Sequence, residues 1–150
     1  MSSIFSNSWI VKLETLLTPS ITKFQKKTLS ANVNSTGIMT DLTFSNLEIG
    51  KTYRIGGWIQ MIGNSGALNN NEIEIDVKCG GVNVGHAEGM GYETSWRQKN
   101  AFNDIFVATG TTLTFDVVNV LNSYIYANAP SPSNITLEEL PEHQVTTDWT

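Results

Sequence analysis

The run EIEIDVKC, residues 72–79, limits what this chain can fold into more than any other stretch. Ile73, Ile75, Val77 and Cys79 alternate with Glu72, Glu74, Asp76 and Lys78. Successive side chains of a strand point to opposite faces, so one face of this segment is apolar and the other charged. That is a half-buried antiparallel strand lying on a core. The same alternation puts Cys79 among the inward residues, as a small hydrophobe rather than a nucleophile. It is the chain's single cysteine, which excludes an intrachain disulfide framework.

The period of two runs through most of the remaining sequence. TTLTFDVV, 111–118, turns Leu113, Phe115 and Val117 inward. KTYRIGGWIQMI, 51–62, sets Tyr53, Ile55, Ile59 and Met61 on one face and Arg54, Trp58 and Gln60 on the other. Its Gly56-Gly57 pair marks a bulge or a close backbone approach. Further strands are expected at 27–33, 38–44, 82–86, 104–108, 123–127 and 134–140, separated by turn-forming runs such as NSTG, GNSGALNNN and NAPSPSN. Eight or nine short strands at this spacing predict an all-β fold, an antiparallel sandwich or barrel. Residues 9–17 fit either period. Ile10, Leu13 and Leu17 make a helical stripe; Trp9, Val11 and Leu13 make a strand face; Pro19 ends both. A length of 150 residues suits one domain, and no second core or dividing linker is visible. A domain of that size buries roughly 68–70% of its unfolded surface and needs no staples.

Net charge is −5 and charged residues make up 15%, below the usual ~25%. Asn, Thr and Ser must therefore supply much of the polar surface. Nucleic-acid binding is not expected, because a phosphate backbone calls for a basic face. The one cationic cluster, KFQKK at 23–27, reads as a solvated strand end. MSSIFSNSWIVKLETLLTP has no basic n-region, and Lys12 and Glu14 interrupt its apolar residues, so no signal peptide is expected. No run reaches the ~18 apolar residues of a membrane-spanning helix. The sequons NST, 34–36, and NIT, 134–136, are expected by chance in a chain this rich in Asn and Thr.

Chemistry-bearing constellations are scarce. His86 and His143 have no partners at metal-ligand spacing, so no metal and no cofactor is expected. Calcium would find oxygen donors in NNNE, 69–72, and FNDIF, 102–106, but neither forms an EF-hand loop. GGVNVGHAEGMG, 80–91, lacks the dinucleotide-binding spacing and reads as a mobile loop. Glu88, Glu93 and Asp104 are the carboxylates a glycosidase could draw on, yet nothing fixes their separation. No catalytic residue is expected. Aromatic residues are the better-motivated surface feature. Trp58 reads as core or interface, Tyr124 and Tyr126 share one strand face, and Tyr92 and Trp96 in GMGYETSWRQKN are candidate ligand contacts.

The final apolar run, NITLEELP at 134–141, places Ile135, Leu137 and Glu139 on one face and Thr136, Glu138 and Leu140 on the other. Both faces are mixed, unlike an ordinary two-layer strand. Together with LTFSNLEIGKTYRIGGWIQM, 42–61, and TGTTLTFDVV, 109–118, it resembles the C-terminal head domains of bacteriophage tail-fibre and related virion proteins. The resemblance covers roughly residues 25–150. It implies a jelly-roll domain over 25–150, assembled as a homotrimer on the outside of a phage particle, with Leu140, Leu137 and Trp58 at the trimer interface. Within that interface Leu137 would turn toward the protomer core and Leu140 toward a neighbour. Residues 1–24 would form a short arm, with Ile4, Phe5, Trp9, Ile10 and Leu13 as contacts to the capsid lattice. No shaft or coiled-coil repeat accompanies the head-like region, which favours a capsid decoration (cement) protein over a fibre head. The implied partners are copies of itself, the major capsid or tail proteins and, for a fibre head, a host surface glycan. A fibre head or tail appendage binding a receptor, and a carbohydrate-binding module, are the alternative readings.

Overall fold

The computed structural model describes residues 23–64, 71–91, 96–128 and 132–141. Among these residues ten strands follow one another: β1 (Phe24–Thr28), β2 (Gly37–Ile38), β3 (Phe44–Ser45), β4 (Thr52–Gly63), β5 (Asn71–Cys79), β6 (Val82–Gly91), β7 (Arg97–Val107), β8 (Thr112–Leu121), β9 (Ser123–Ile125) and β10 (Asn134–Glu139). A single turn of 3-10 helix, Thr40–Leu42, separates β2 from β3.

The strands form two antiparallel sheets. Sheet A runs β1-β10-β4-β7, and β9 pairs with the end of β4 that β10 leaves free. Sheet B runs β2-β8-β5-β6, and β3 pairs with β8 beyond β2. Taking β2 and β3 as one interrupted strand, each sheet is four strands wide and the chain passes repeatedly between them. This is the double-sheet arrangement of a jelly roll, as the alternation and the resemblance implied.

The core lies between the sheets and is supplied by the residues whose alternation was legible. Ile73, Ile75, Val77 and Cys79 of β5 and Leu113, Phe115 and Val117 of β8 are buried against Tyr53, Ile55, Ile59 and Met61 of β4. Phe102 of β7 meets Phe115 edge-on across the sandwich, with ring centroids 5.6 Å apart. Each such side chain removed from water contributes about 1.5–3 kcal/mol. On β8 the register against β5 shifts between Glu74 and Ile75, leaving Val118 unpaired and exposed. The bulge lets both Val117 and Val120 reach the core, which strict alternation forbids.

Several elements differ from the sequence expectations. The strand expected at 38–44 is two short bridges around the 3-10 turn, and the one expected at 27–33 begins at Phe24 and ends at Thr28. Phe24, assigned to the arm, therefore opens the sandwich. KFQKK is no mere strand end: most of it is β1, an edge strand whose lysines discourage further pairing. The strand expected at 104–108 starts at Arg97. The expected mobile loop at 80–91 is mostly strand β6, extending the run expected at 82–86. The Gly56-Gly57 pair is a close approach without a bulge, since pairing to β10 and β7 is continuous there. A Cβ on Gly57 would lie 2.3 Å from the Asn134 carbonyl oxygen, and its φ of 104° favours glycine in any case.

Candidate functional site

Strand β10 sits between β1 and β4, and its mixed faces now have an explanation. Ile135 and Leu137 enter the core; Leu137 is 1% exposed. Leu137 thus turns toward the protomer core, the direction expected of it, and its side chain is consumed there, so it offers no surface to a neighbouring copy. Glu139, on the same face, lies at the rim of the sandwich, where Lys23 approaches it to 3.7 Å and the Tyr53 hydroxyl lies 3.5 Å away. Lys23 also pairs with Glu48, and that pairing holds the Glu48 carboxyl below its ordinary range. Glu138 faces outward and meets Arg54 of β4 at 3.8 Å. Leu140 follows the strand, half-buried, its N–H donating to the Thr52 carbonyl at 2.8 Å. Asn134, of the second sequon, is buried, and its side-chain nitrogen donates to the Pro132 carbonyl.

Trp58 lies on the outer face of sheet A, aligned with Asn134 of β10 and Ala101 of β7. It is half-buried, and the Lys99 ammonium stands 5.3 Å above its ring. This cation–π contact supports the charge there by about 0.5–1 kcal/mol. Trp58 Nε1 and Gln60 Oε1, two residues apart on this face, are both buried without a hydrogen-bond partner. Tyr124 is opposite Ile62, and the Tyr126 N–H donates to the Gln60 carbonyl. The two tyrosine rings are 6.4 Å apart, on one side as the sequence suggested.

Trp96, a candidate ligand contact from the sequence, is half-buried against the core. Its indole fills a slot between the sheets that three glycines keep open. A Cβ on Gly91, Gly63 or Gly89 would come within 2.2, 2.5 or 2.7 Å of the ring. The Trp96 carbonyl also accepts the Gly63 N–H at 2.9 Å. The ring packs against the core. Small residues at the inward positions Ala87, Gly89 and Gly91 of β6 were the available signal; without apolar bulk they hid the second half of the strand. Tyr92, the arm contacts Ile4, Phe5, Trp9, Ile10 and Leu13, and His143 and Glu93 lie outside the described residues.

The outer face of sheet B carries charge in register. Lys78 Nζ lies 3.0 Å from Asp116 and 3.4 Å from Asp76. The Asp116 contact, above all, raises the Lys78 pKa. His86 Nδ1 is 3.1 Å from Asp76, and that hydrogen bond holds the Asp76 carboxyl below its ordinary range. Among the described residues no group of three or more His, Cys, Asp or Glu is placed to hold a metal ion. Glu88 belongs to β6 in sheet B and Asp104 to β7 in sheet A, so the two carboxylates sit on different sheets. A hollow of about 360 Å³ at one end of the sandwich is lined by Asn32, Asn34, Asn64, Asn122, Ser123 and Tyr124, with Val120. Amides and hydroxyls dominate it, and neither a nucleophile–base pair nor a carboxylate pair lines it. Another of about 390 Å³ lies within residues 29–41 and has Asp41 as its one carboxylate.

No protein-family model matches the chain, and no curated protein matches it. Similar solved structures include that of infectious bursal disease virus Gt strain, at 12% identity and TM-score 0.44, over 82% of this chain and 38% of that one. The VP2 subviral particle of infectious bursal disease virus is 10% identical at TM-score 0.47, over 79% of this chain and 33% of that one. Dimeric latent PorU from Porphyromonas gingivalis is 11% identical at TM-score 0.36, over 80% of this chain and 10% of that one. The chain spans about a third of the length of the viral chains it matches.

Proposed function

We propose that this chain is a non-enzymatic structural protein on the outer surface of a bacteriophage virion, a trimeric capsid decoration (cement) protein. The observation that carries the reading is the mutual placement of the three runs that carry the resemblance. Residues 42–61 supply β3 and most of β4, 109–118 most of β8, and 134–141 β10. β3 lies along β8 and β10 along β4. The three runs are therefore paired structural neighbours rather than scattered coincidences. The partners in this reading are two further copies and the major capsid protein. Leu140, half-buried just past the end of β10, is the residue assigned to the neighbouring copy, and the arm residues Ile4, Phe5, Trp9, Ile10 and Leu13 to the capsid lattice.

Image reconstruction of purified particles tests the placement. The protein is expected over junctions between capsid subunits in a symmetric copy number. Density confined to tail tips would overturn decoration in favour of a receptor-binding head. At a salt concentration of about 0.5 M, where charge contacts are screened, Leu140→Asp is expected to yield monomers in light scattering, and an intact trimer would remove Leu140 from the interface.

A further inference from the structure

We propose that the outer face of sheet A in one copy docks on the outer face of sheet B in another, because the two faces carry opposite charge. Register fixes which side chains share each face. On sheet A the outward charges among the described residues are Lys26, Arg54, Arg97 and Lys99, against Glu138 alone. On sheet B they are Glu72, Glu74, Asp76, Glu88 and Asp116, against Lys78, with His86 between two of the acids. One face is cationic and the other anionic, although the whole chain has a net charge of −5.

The acidic face is also internally uncomfortable. Glu74 stands directly opposite Glu88, and Asp76 directly opposite Asp116. Like charges opposite one another across strands are destabilising. Lys78 bridges the aspartate pair; a cationic surface laid over the glutamates would do the same for them. Each face also exposes apolar side chains that can fill such a contact. Phe24 and Ile105 flank the Arg54–Glu138 pair on sheet A, at 63% and 60% exposure, and Met90 and Ile38 lie on sheet B. At this net charge like faces of two copies repel, whereas the A-on-B orientation pairs opposite charges, so the charges select the register as well as the partner.

The contact is heterologous: every copy offers one face and accepts the other. Because the two faces look away from each other, a pair still leaves one of each sign open, and further copies add in a row or close into a ring. This contact stands apart from the Leu140 interface and does not rest on the virion reading.

Charge exchange between variants of the full chain tests it. Association of the unmodified protein, followed by sedimentation, is expected to weaken as salt is raised from about 0.05 to about 0.5 M. Lys26→Glu with Arg97→Glu, and separately Glu74→Lys with Glu88→Lys, should each weaken self-association about tenfold. An equimolar mixture of the two variants should recover it, because the native A face of the second variant then meets the native B face of the first. Association that ignores salt, or a mixture no better than either variant alone, overturns the proposal. Should a reversed variant lose its circular-dichroism signature, the neutral pairs Lys26→Gln with Arg97→Gln and Glu74→Gln with Glu88→Gln replace it. These should each weaken association and recover it on mixing, because the native A face of one variant still meets the native B face of the other; unchanged association, or no recovery, would overturn the proposal. Recovery in mixtures that also carry Leu140→Asp would support this contact even if the trimer assigned to Leu140 fails.

Discussion

The middle of sheet B and the middle of sheet A solve the same packing problem in opposite ways. From Ile73 to Cys79 of β5 every second residue is apolar, and each is buried. In β4 the alternation stops at Gly56-Gly57, where β10 passes so close that a side chain has no room. Sheet B is held by what its side chains fill; sheet A, at that point, by what its backbone omits. The slot for Trp96 follows the second rule, with Gly63 from sheet A and Gly89 and Gly91 from sheet B clearing space for one large ring. A cavity and an overlap are therefore the two ways to damage this molecule, and substitutions can tell them apart.

The largest effect is expected at Trp96. Trp96→Ala empties a slot that the three glycines cannot refill, and should lower unfolding free energy by about 3–5 kcal/mol in denaturant titration. A loss below about 1 kcal/mol would mean that the ring is not packed as described. Next comes Ile75→Ala in the centre of β5, expected to cost about 2–5 kcal/mol by the same measurement. Gly57→Ala sharpens the comparison from the other side. It adds atoms instead of removing them, yet should destabilise by more than about 1 kcal/mol, because both the Asn134 carbonyl and the positive φ oppose it. Gly56→Ala should be milder, since its Cβ meets the Thr136 hydroxyl, the tip of a side chain that can turn away. If Gly56→Ala proves worse than Gly57→Ala, the close approach is misplaced by one residue.

The smallest effect concerns a tie between the sheets. Asp41, in the turn between β2 and β3, accepts the Ser30 backbone N–H at 2.8 Å and the Ser30 hydroxyl. The hydroxyl contact, chiefly, holds its carboxyl below the ordinary value of 3.8. A depressed carboxylate contributes stability above its unfolded-state pKa and loses it as pH falls through the folded value. Thermal unfolding should therefore show Asp41→Asn losing stability at neutral pH and converging on the parent below about pH 4. Equal differences at both pH values would show that the carboxylate charge is not what ties Ser30.

The side-chain half of this comparison was legible in the sequence and the backbone half was not. Ile73, Ile75, Val77 and Cys79 announce β5 because each carries apolar bulk at the strand period. The second half of β6, beyond the run expected at 82–86, hid because Ala87, Gly89 and Gly91 have the right period without the bulk. Its reason for existing, Trp96, lies beyond the end of the strand. The slot of Trp96 could not be read from the sequence because its neighbours there are polar, whereas its neighbours in space include glycines. Leu137 and Glu139 share a strand face, but only the depth of each along the sandwich decides that one is core and the other rim. Sequence alternation carries direction and no depth. The same limit applies to the outer faces: the charges of β5 were plain, but their opposition to those of β4 and β7 depends on which strands share a sheet.

The central claim, that this sandwich works as an assembly of identical copies, is tested most directly by the mass of the purified full chain in solution. Light scattering coupled to size separation should return three times the 16.5 kDa chain mass, or a larger multiple at low salt. A single species at 16.5 kDa, unchanged with concentration and salt, would contradict it.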